Sequence, residues 1–74
     1  MKLAKIISFH RKKAGLSRKE LAELAGIGKT VIYDIEHGKK TIRFNIVKSI
    51  LDVLNIKITL ESQFMEEIRK SEKN

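Results

Sequence analysis

The sequence predicts a mainly α fold in which four short helices are followed by a single β-strand. Up to residue 54, apolar residues recur at three- and four-residue steps, the spacing of helices that bury one face. A glycine or an asparagine follows each segment, as is common at helix ends. From residue 56 to residue 61 the spacing changes to strict alternation, which is typical of a strand. With 74 residues and no cysteine, the chain is expected to form one small domain without disulfides.

The first helix is predicted from Lys2 to Ala14, with Gly15 closing it. Its expected apolar face, with Phe9 at the margin, consists of Leu3, Ile6, Ile7, His10 and Ala14. We interpret His10 as a packing residue rather than a metal ligand, because no second ligand lies at metal-binding spacing.

Residues 18–36 predict two short helices joined by a tight turn. Ser17 and Glu20 have the spacing of a capping box at the start of the first helix. Gly26 ends that helix, since glycine adopts the left-handed conformation without steric cost. Ala22 is small enough for a close helix contact, and Ile32 follows Gly26 by six residues. This spacing is typical of a DNA-binding helix-turn-helix, whose second helix lies in the major groove.

The fourth helix is predicted from Arg43 or Phe44 to Leu54, with Asn55 as a left-handed cap. Residues 55–61 then predict a strand that needs a partner, and the simplest partner is the same strand of a second copy. A two-fold axis at Thr59 would place Lys57 opposite Glu61, whereas an axis one residue earlier would not. We therefore expect one domain over residues 1–61 and a tail over residues 62–74. The tail could begin with a short helix, and its last residues are expected to be frayed.

The positive charge is concentrated around the helix-turn-helix. Residues 1–43 carry 11 Lys/Arg and 4 Asp/Glu, a net charge of +7, whereas residues 44–74 carry 5 of each. This distribution predicts phosphate binding, although a charged surface that only aids solubility is the alternative. No arrangement of residues predicts catalysis, a metal site, a cofactor or a small-molecule substrate. No long apolar run is present, so we expect a cytoplasmic protein with no membrane partner.

The run from Gly15 to Lys39, GLSRKELAELAGIGKTVIYDIEHGK, resembles the helix-turn-helix of the lambda-repressor and Cro type, the XRE family. The resemblance implies a compact, phage-repressor-like domain with base contacts at the start of the second helix. It implies a phosphate contact at Ser17 and Arg18, and a structural ion pair between Arg11 and Glu36. Two positions depart from the family pattern, since Arg18 replaces a glutamine and Gly28 lacks the usual capping side chain.

The residues expected to contact DNA lie on and beside the second helix of the motif. We assign base contacts to Gly28, Lys29, Thr30 and Tyr33, where Tyr33 is as well suited to a phosphate contact or to surface packing. We assign phosphate contacts to Ser17, Arg18, His37, Lys39, Lys40 and Arg43, where a helix cap is an equal alternative for His37. Asp34 is more consistent with a solvated carboxylate than with a base contact.

The segment NIKITLES, residues 55–62, follows the fourth helix where many family members have a fifth helix. This arrangement resembles the HipB-like antitoxins, whose subunits pair strands, repress their own operon and bind a HipA-like kinase toxin. The resemblance implies a homodimeric repressor of a type II toxin–antitoxin operon that binds an inverted-repeat operator. The implied dimer contacts are Ile56, Lys57, Ile58, Thr59, Leu60 and Glu61. The alternatives are a free-standing or phage-type repressor, and a toxin-neutralising protein-interaction module with little DNA binding.

Overall fold

The computed structural model of the protein describes residues 2–59 and residue 64, and this part of the chain contains four α-helices. They are α1 (Leu3–Lys13), α2 (Arg18–Ala25), α3 (Lys29–Glu36) and α4 (Phe44–Val53). The predicted mainly helical architecture is therefore confirmed, and the helix boundaries lie within about one residue of those expected from the sequence.

The core lies where α2 meets the helices on either side of it. α2 packs against both α3 and α4, and α1 packs against α3. The buried hydrophobic side chains are Ile7, Leu21, Ala22, Ile32, Ile35, Ile50 and Leu51. Ala22 is almost fully buried, as expected for the small residue at the crossing of α2 and α3. The apolar face of α4 packs chiefly on α2 and does not cover all three preceding helices to the same extent.

All four helices end in the same way. Residues 15, 26, 38 and 55 have positive φ angles, and each is followed by a backbone N–H that donates to the carbonyl five residues earlier. After α2, Gly26 has φ 71°, and the Ile27 N–H donates to the Ala22 carbonyl at 3.0 Å. Asn55 has φ 58° and is the non-glycine example, which asparagine tolerates better than most residues. These Schellman-type closures satisfy carbonyls that the helix ends would otherwise leave unpaired.

The buried face of α1 differs from the face expected from the sequence. Ile7 and Arg11 are buried, Leu3 is half-buried, and both Ala14 and Phe9 are exposed. The predicted face was centred on apolar residues and therefore excluded Arg11. The buried stripe instead runs along positions 3, 7 and 11, because the charge of Arg11 is neutralised by an acidic partner on α3. Phe9 makes an edge-to-face contact with His10 on the outer side of the helix.

The segment after α4 leaves the core within a few residues. Ile56 is half-buried and packs against the core, whereas Lys57, Ile58 and Thr59 are exposed. Residues 56–59 form neither helix nor strand, and no strand is present among residues 2–59 and 64. The other predicted strand residues, Leu60 and Glu61, lie outside the described part of the chain, as does most of the predicted C-terminal helix. Strand pairing between two copies thus remains a prediction.

Candidate nucleic-acid interface

The two helices of the motif are set by local contacts at the start of α2 and in the turn after it. The Ser17 hydroxyl accepts from the Glu20 N–H at 3.0 Å, and the Glu20 carboxylate accepts from the Ser17 N–H at 2.9 Å. This capping box lowers the pKa of Glu20, chiefly through the hydrogen bond to the Ser17 backbone. The turn of Gly26, Ile27 and Gly28 then redirects the chain into α3.

The start of α3 is open to solvent. Gly28 is the N-cap residue, with extended backbone angles and no side-chain cap. A Cβ atom at this position would meet only the Val31 side chain, at 3.9 Å, so the fold does not require glycine here. Lys29 and Thr30, the first two helical residues, are both exposed. Their side chains are therefore accessible to a groove of DNA that approaches the N-terminal end of α3.

One face of α3 is exposed while the other is buried. Ile32 and Ile35 belong to the core, whereas Tyr33 is 49% exposed. Tyr33 follows Lys29 by four residues and Thr30 by three, so the three side chains lie on the same face of the helix. The predicted base-contacting residues are thus brought together on a single exposed surface of α3.

Tyr33 is held by two neighbours. Its ring stacks on the His37 imidazole with ring centres 3.9 Å apart, and the guanidinium of Arg18 lies 5.5 Å from the centre of the tyrosine ring. His37 also hydrogen-bonds through Nδ1 to the Tyr33 carbonyl at 2.7 Å. Because a carbonyl only accepts, Nδ1 is the donor in this bond. The imidazole therefore contributes to the end of α3, the role expected of a helix cap.

A buried ion pair lies behind this exposed face. Arg11 donates to the Glu36 carboxylate through Nε at 2.6 Å and through Nη2 at 3.1 Å. Its Nη1 donates to the Leu16 carbonyl at 2.8 Å. The side chains of Arg11 and Glu36 are only 9% and 2% exposed. The pair that the resemblance implied is therefore in contact and is nearly fully removed from solvent.

Glu36 has a second basic partner that the sequence did not suggest. Arg18 Nε donates to Glu36 Oε1 at 2.9 Å, so one carboxylate joins α1, α2 and α3. Burial raises the pKa of Glu36, but the hydrogen bonds and charges of the two arginines outweigh it and leave the pKa below its usual value. Arg18 keeps 37% of its side chain exposed, so it is not restricted to a structural role.

The remaining candidate phosphate contacts surround the motif. Lys39, Lys40 and Arg43 are exposed between the end of α3 and the start of α4, and Ser17 is exposed at the start of α2. Asp34 is half-buried, and within residues 2–59 it makes no side-chain hydrogen bond. His10 is half-buried and bonds through Nδ1 to the Ile6 carbonyl at 2.7 Å. In the part of the chain that the structure describes, no group of side chains has the arrangement of a metal site.

A helical pair with one exposed, basic-flanked recognition helix defines a helix-turn-helix DNA-binding domain. The sequence profile of the helix-turn-helix family matches residues 9–60, which include α2, α3 and α4 and the C-terminal part of α1. The chain therefore belongs to this family, the lambda-repressor and Cro type, whose members are sequence-specific DNA-binding regulators. A search of curated proteins found no significant match. Among the described helices, none is both long and apolar enough to span a membrane.

Proposed function

We propose that the protein is a homodimeric transcriptional repressor and the HipB-like antitoxin of a type II toxin–antitoxin operon. The observation that carries the DNA-binding part is the accessible surface formed by Lys29, Thr30 and Tyr33 on α3. Lysine can donate to guanine, and threonine offers both a hydroxyl and a methyl group to a base edge. The exposed cations Lys40 and Arg43 lie between α3 and α4 and suit contacts with phosphates.

Dimerisation through residues 55–61 is supported by the exposure of Ile58, an apolar residue of the alternating segment. Ile58 is 46% exposed and two residues away from Ile56, which packs on the core. A second copy of the same segment would cover Ile58 and provide partners for the exposed backbone groups. In a two-fold dimer the two recognition helices would meet the duplex about one turn apart, ~34 Å, so the operator would be an inverted repeat.

The test of this architecture is Ile58→Lys. We expect a folded monomer in light scattering that has lost most of its affinity for an inverted-repeat duplex selected with the parent protein. Leu24→Lys is the matched control, because it adds the same charge at an exposed leucine of α2, outside the segment. A monomeric Ile58→Lys protein that still binds the duplex as tightly as the parent would exclude this segment from the DNA-binding unit.

The toxin partner is supported by the sequence order, in which a segment of alternating apolar residues directly follows α4. Co-expression with the neighbouring gene of the operon tests it. A kinase-like product that co-purifies with the chain and loses its activity supports the antitoxin assignment. If no such product exists and operator binding is retained, the protein is a free-standing repressor. Toxin neutralisation without salt-sensitive DNA binding would instead define a protein-interaction module.

A further inference from the structure

We propose that Arg18 determines DNA specificity by positioning Tyr33, in addition to any contact it makes with a phosphate. The proposal rests on the proposed function, since it concerns how α3 recognises DNA. It starts from two contacts made by a single guanidinium. Nε of Arg18 donates to Glu36, and Cζ of the same group lies over the Tyr33 ring, 5.5 Å from its centre.

The ion pair fixes the position of the guanidinium. The Glu36 side chain is nearly fully buried and is already held by Arg11, so it is a rigid anchor for Arg18 Nε. Arginine is suited to this geometry because its planar group can donate from one edge while it stacks on an aromatic ring. A lysine would keep the charge but could not hold both partners in the same way.

The position of Tyr33 is then set from two directions. The His37 ring stacks on it from within α3, and the Arg18 guanidinium reaches it from the start of α2. A side chain free in solvent would lose rotamer freedom when it met a base edge, and prior ordering reduces that cost. Arg18 is therefore a positioning residue for Tyr33, and its removal should reduce discrimination between DNA sequences more than it reduces general affinity.

The protein itself provides a specific probe of this contact. Tyr33 is its only tyrosine and the chain has no tryptophan, so tyrosine emission reports on Tyr33 alone. In Arg18→Lys the ring should become more accessible to a neutral quencher such as acrylamide in the absence of DNA. Arg18→Gln, which has the residue more usual in the family, provides a second variant. Both should fold, because Arg11 keeps its two hydrogen bonds to Glu36.

Binding is measured on a duplex selected from a random library by the parent protein and on a scrambled duplex of equal length. In Arg18→Lys the affinity ratio of the two duplexes should fall roughly threefold to tenfold, while the salt dependence is unchanged. Lys40→Gln is the matched control, because loss of a phosphate contact should weaken binding to both duplexes alike and reduce the salt slope. In a Tyr33→Leu protein, adding Arg18→Lys should not lower the affinity ratio of the two duplexes any further, because the side chain that Arg18 positions is already absent.

Three results would overturn the proposal. The first is an equal loss of affinity for both duplexes in Arg18→Lys and Arg18→Gln with unchanged quenching, which would leave Arg18 as a phosphate contact only. The second is an equal fall in the ratio with and without Tyr33, which would make the two residues independent. The third is unchanged discrimination in both variants. A parent protein with no sequence preference would instead overturn the proposed function, and quenching would still decide whether Arg18 holds Tyr33.

Discussion

Replacing Glu36 with glutamine removes the negative charge that links α3 to the arginines of α1 and α2, and we expect a large loss of stability. The carboxylate is 2% exposed and accepts three hydrogen bonds, two from Arg11 and one from Arg18. Removing one partner of a buried pair typically costs ~3–5 kcal/mol, because the other charge stays buried. Glutamine keeps one acceptor oxygen, so we expect a loss of about 3 kcal/mol, the lower end of that range.

That loss is large for a domain of this size. At ~0.05–0.15 kcal/mol per residue, the free energy of unfolding of such a chain is about 4–11 kcal/mol. Since each kcal/mol shifts the melting temperature of a small domain by ~4–8 °C, Glu36→Gln should melt about 12–24 °C below the parent. Urea unfolding followed by circular dichroism measures the free energy directly, and the slope with denaturant should be unchanged.

The matched control is Asp52→Asn, which breaks a solvent-exposed ion pair instead of a buried one. Lys48 and Asp52 lie four residues apart on α4 with Nζ and Oδ2 at 3.1 Å, and both side chains are exposed. Such pairs contribute no more than ~0.5 kcal/mol. If Glu36→Gln were no more destabilising than Asp52→Asn, the explanation that burial strengthens the Glu36 ion pairs would be wrong.

The same carboxylate predicts a pH dependence of stability. Because the pKa of Glu36 is lowered from its ordinary value of 4.5, the folded state binds its proton less tightly than the unfolded state does. Its contribution is therefore complete above about pH 4.5 and is lost as the pH falls through the lower folded-state pKa. In Glu36→Gln this part of the acid destabilisation should be absent. An identical decline of parent and variant below pH 4.5 would contradict the assignment.

Four further substitutions test the interface and the fold. Lys29→Ala or Thr30→Ala should leave the melting temperature nearly unchanged and weaken operator binding by ~1–3 kcal/mol. If both variants still discriminate between operator and random DNA as the parent does, neither residue is a base contact. Lys40→Ala should weaken binding to all sequences and reduce the salt slope by about 1, whereas a sequence-dependent loss would assign it to base recognition. Ser17→Ala should lower the free energy of unfolding by ~1 kcal/mol, because it removes the side-chain cap of α2. If chemical denaturation shows an unchanged free energy of unfolding, water replaces the hydroxyl as the partner of the Glu20 N–H.

The helix ends could be predicted from sequence because they are local. Gly26 and Asn55 are each predicted to end a helix in the left-handed conformation, and the structure confirms both. The capping box of Ser17 and Glu20 is equally local, since both partners lie within one helical turn. Such features need no knowledge of the tertiary fold.

The buried face of α1 was predicted less well because hydrophobicity alone excludes arginine. Arg11 is buried only because Glu36, 25 residues later, neutralises it. No periodic pattern contains that information, and the family resemblance was the only signal for the pair. Arg18 is a stronger case, because its position suggests a solvent-facing cation at the start of α2. Only the placement of Glu36 and Tyr33 by α3 shows that its guanidinium also has partners within the protein.

The short recognition helix explains why stability and DNA reading depend on neighbouring residues. α3 has eight residues, too few for a stable helix in water, so its orientation depends on packing and on ion pairs with other helices. Ile32 and Ile35 anchor one side by burial, and Glu36 fixes the C-terminal end through Arg11 and Arg18. Tyr33 is three residues before Glu36 and contacts the same Arg18. A substitution at Arg18 therefore alters the support of the helix and directly alters the position of its exposed aromatic side chain, whereas one at Arg11 can reach Tyr33 only through Glu36 and Arg18.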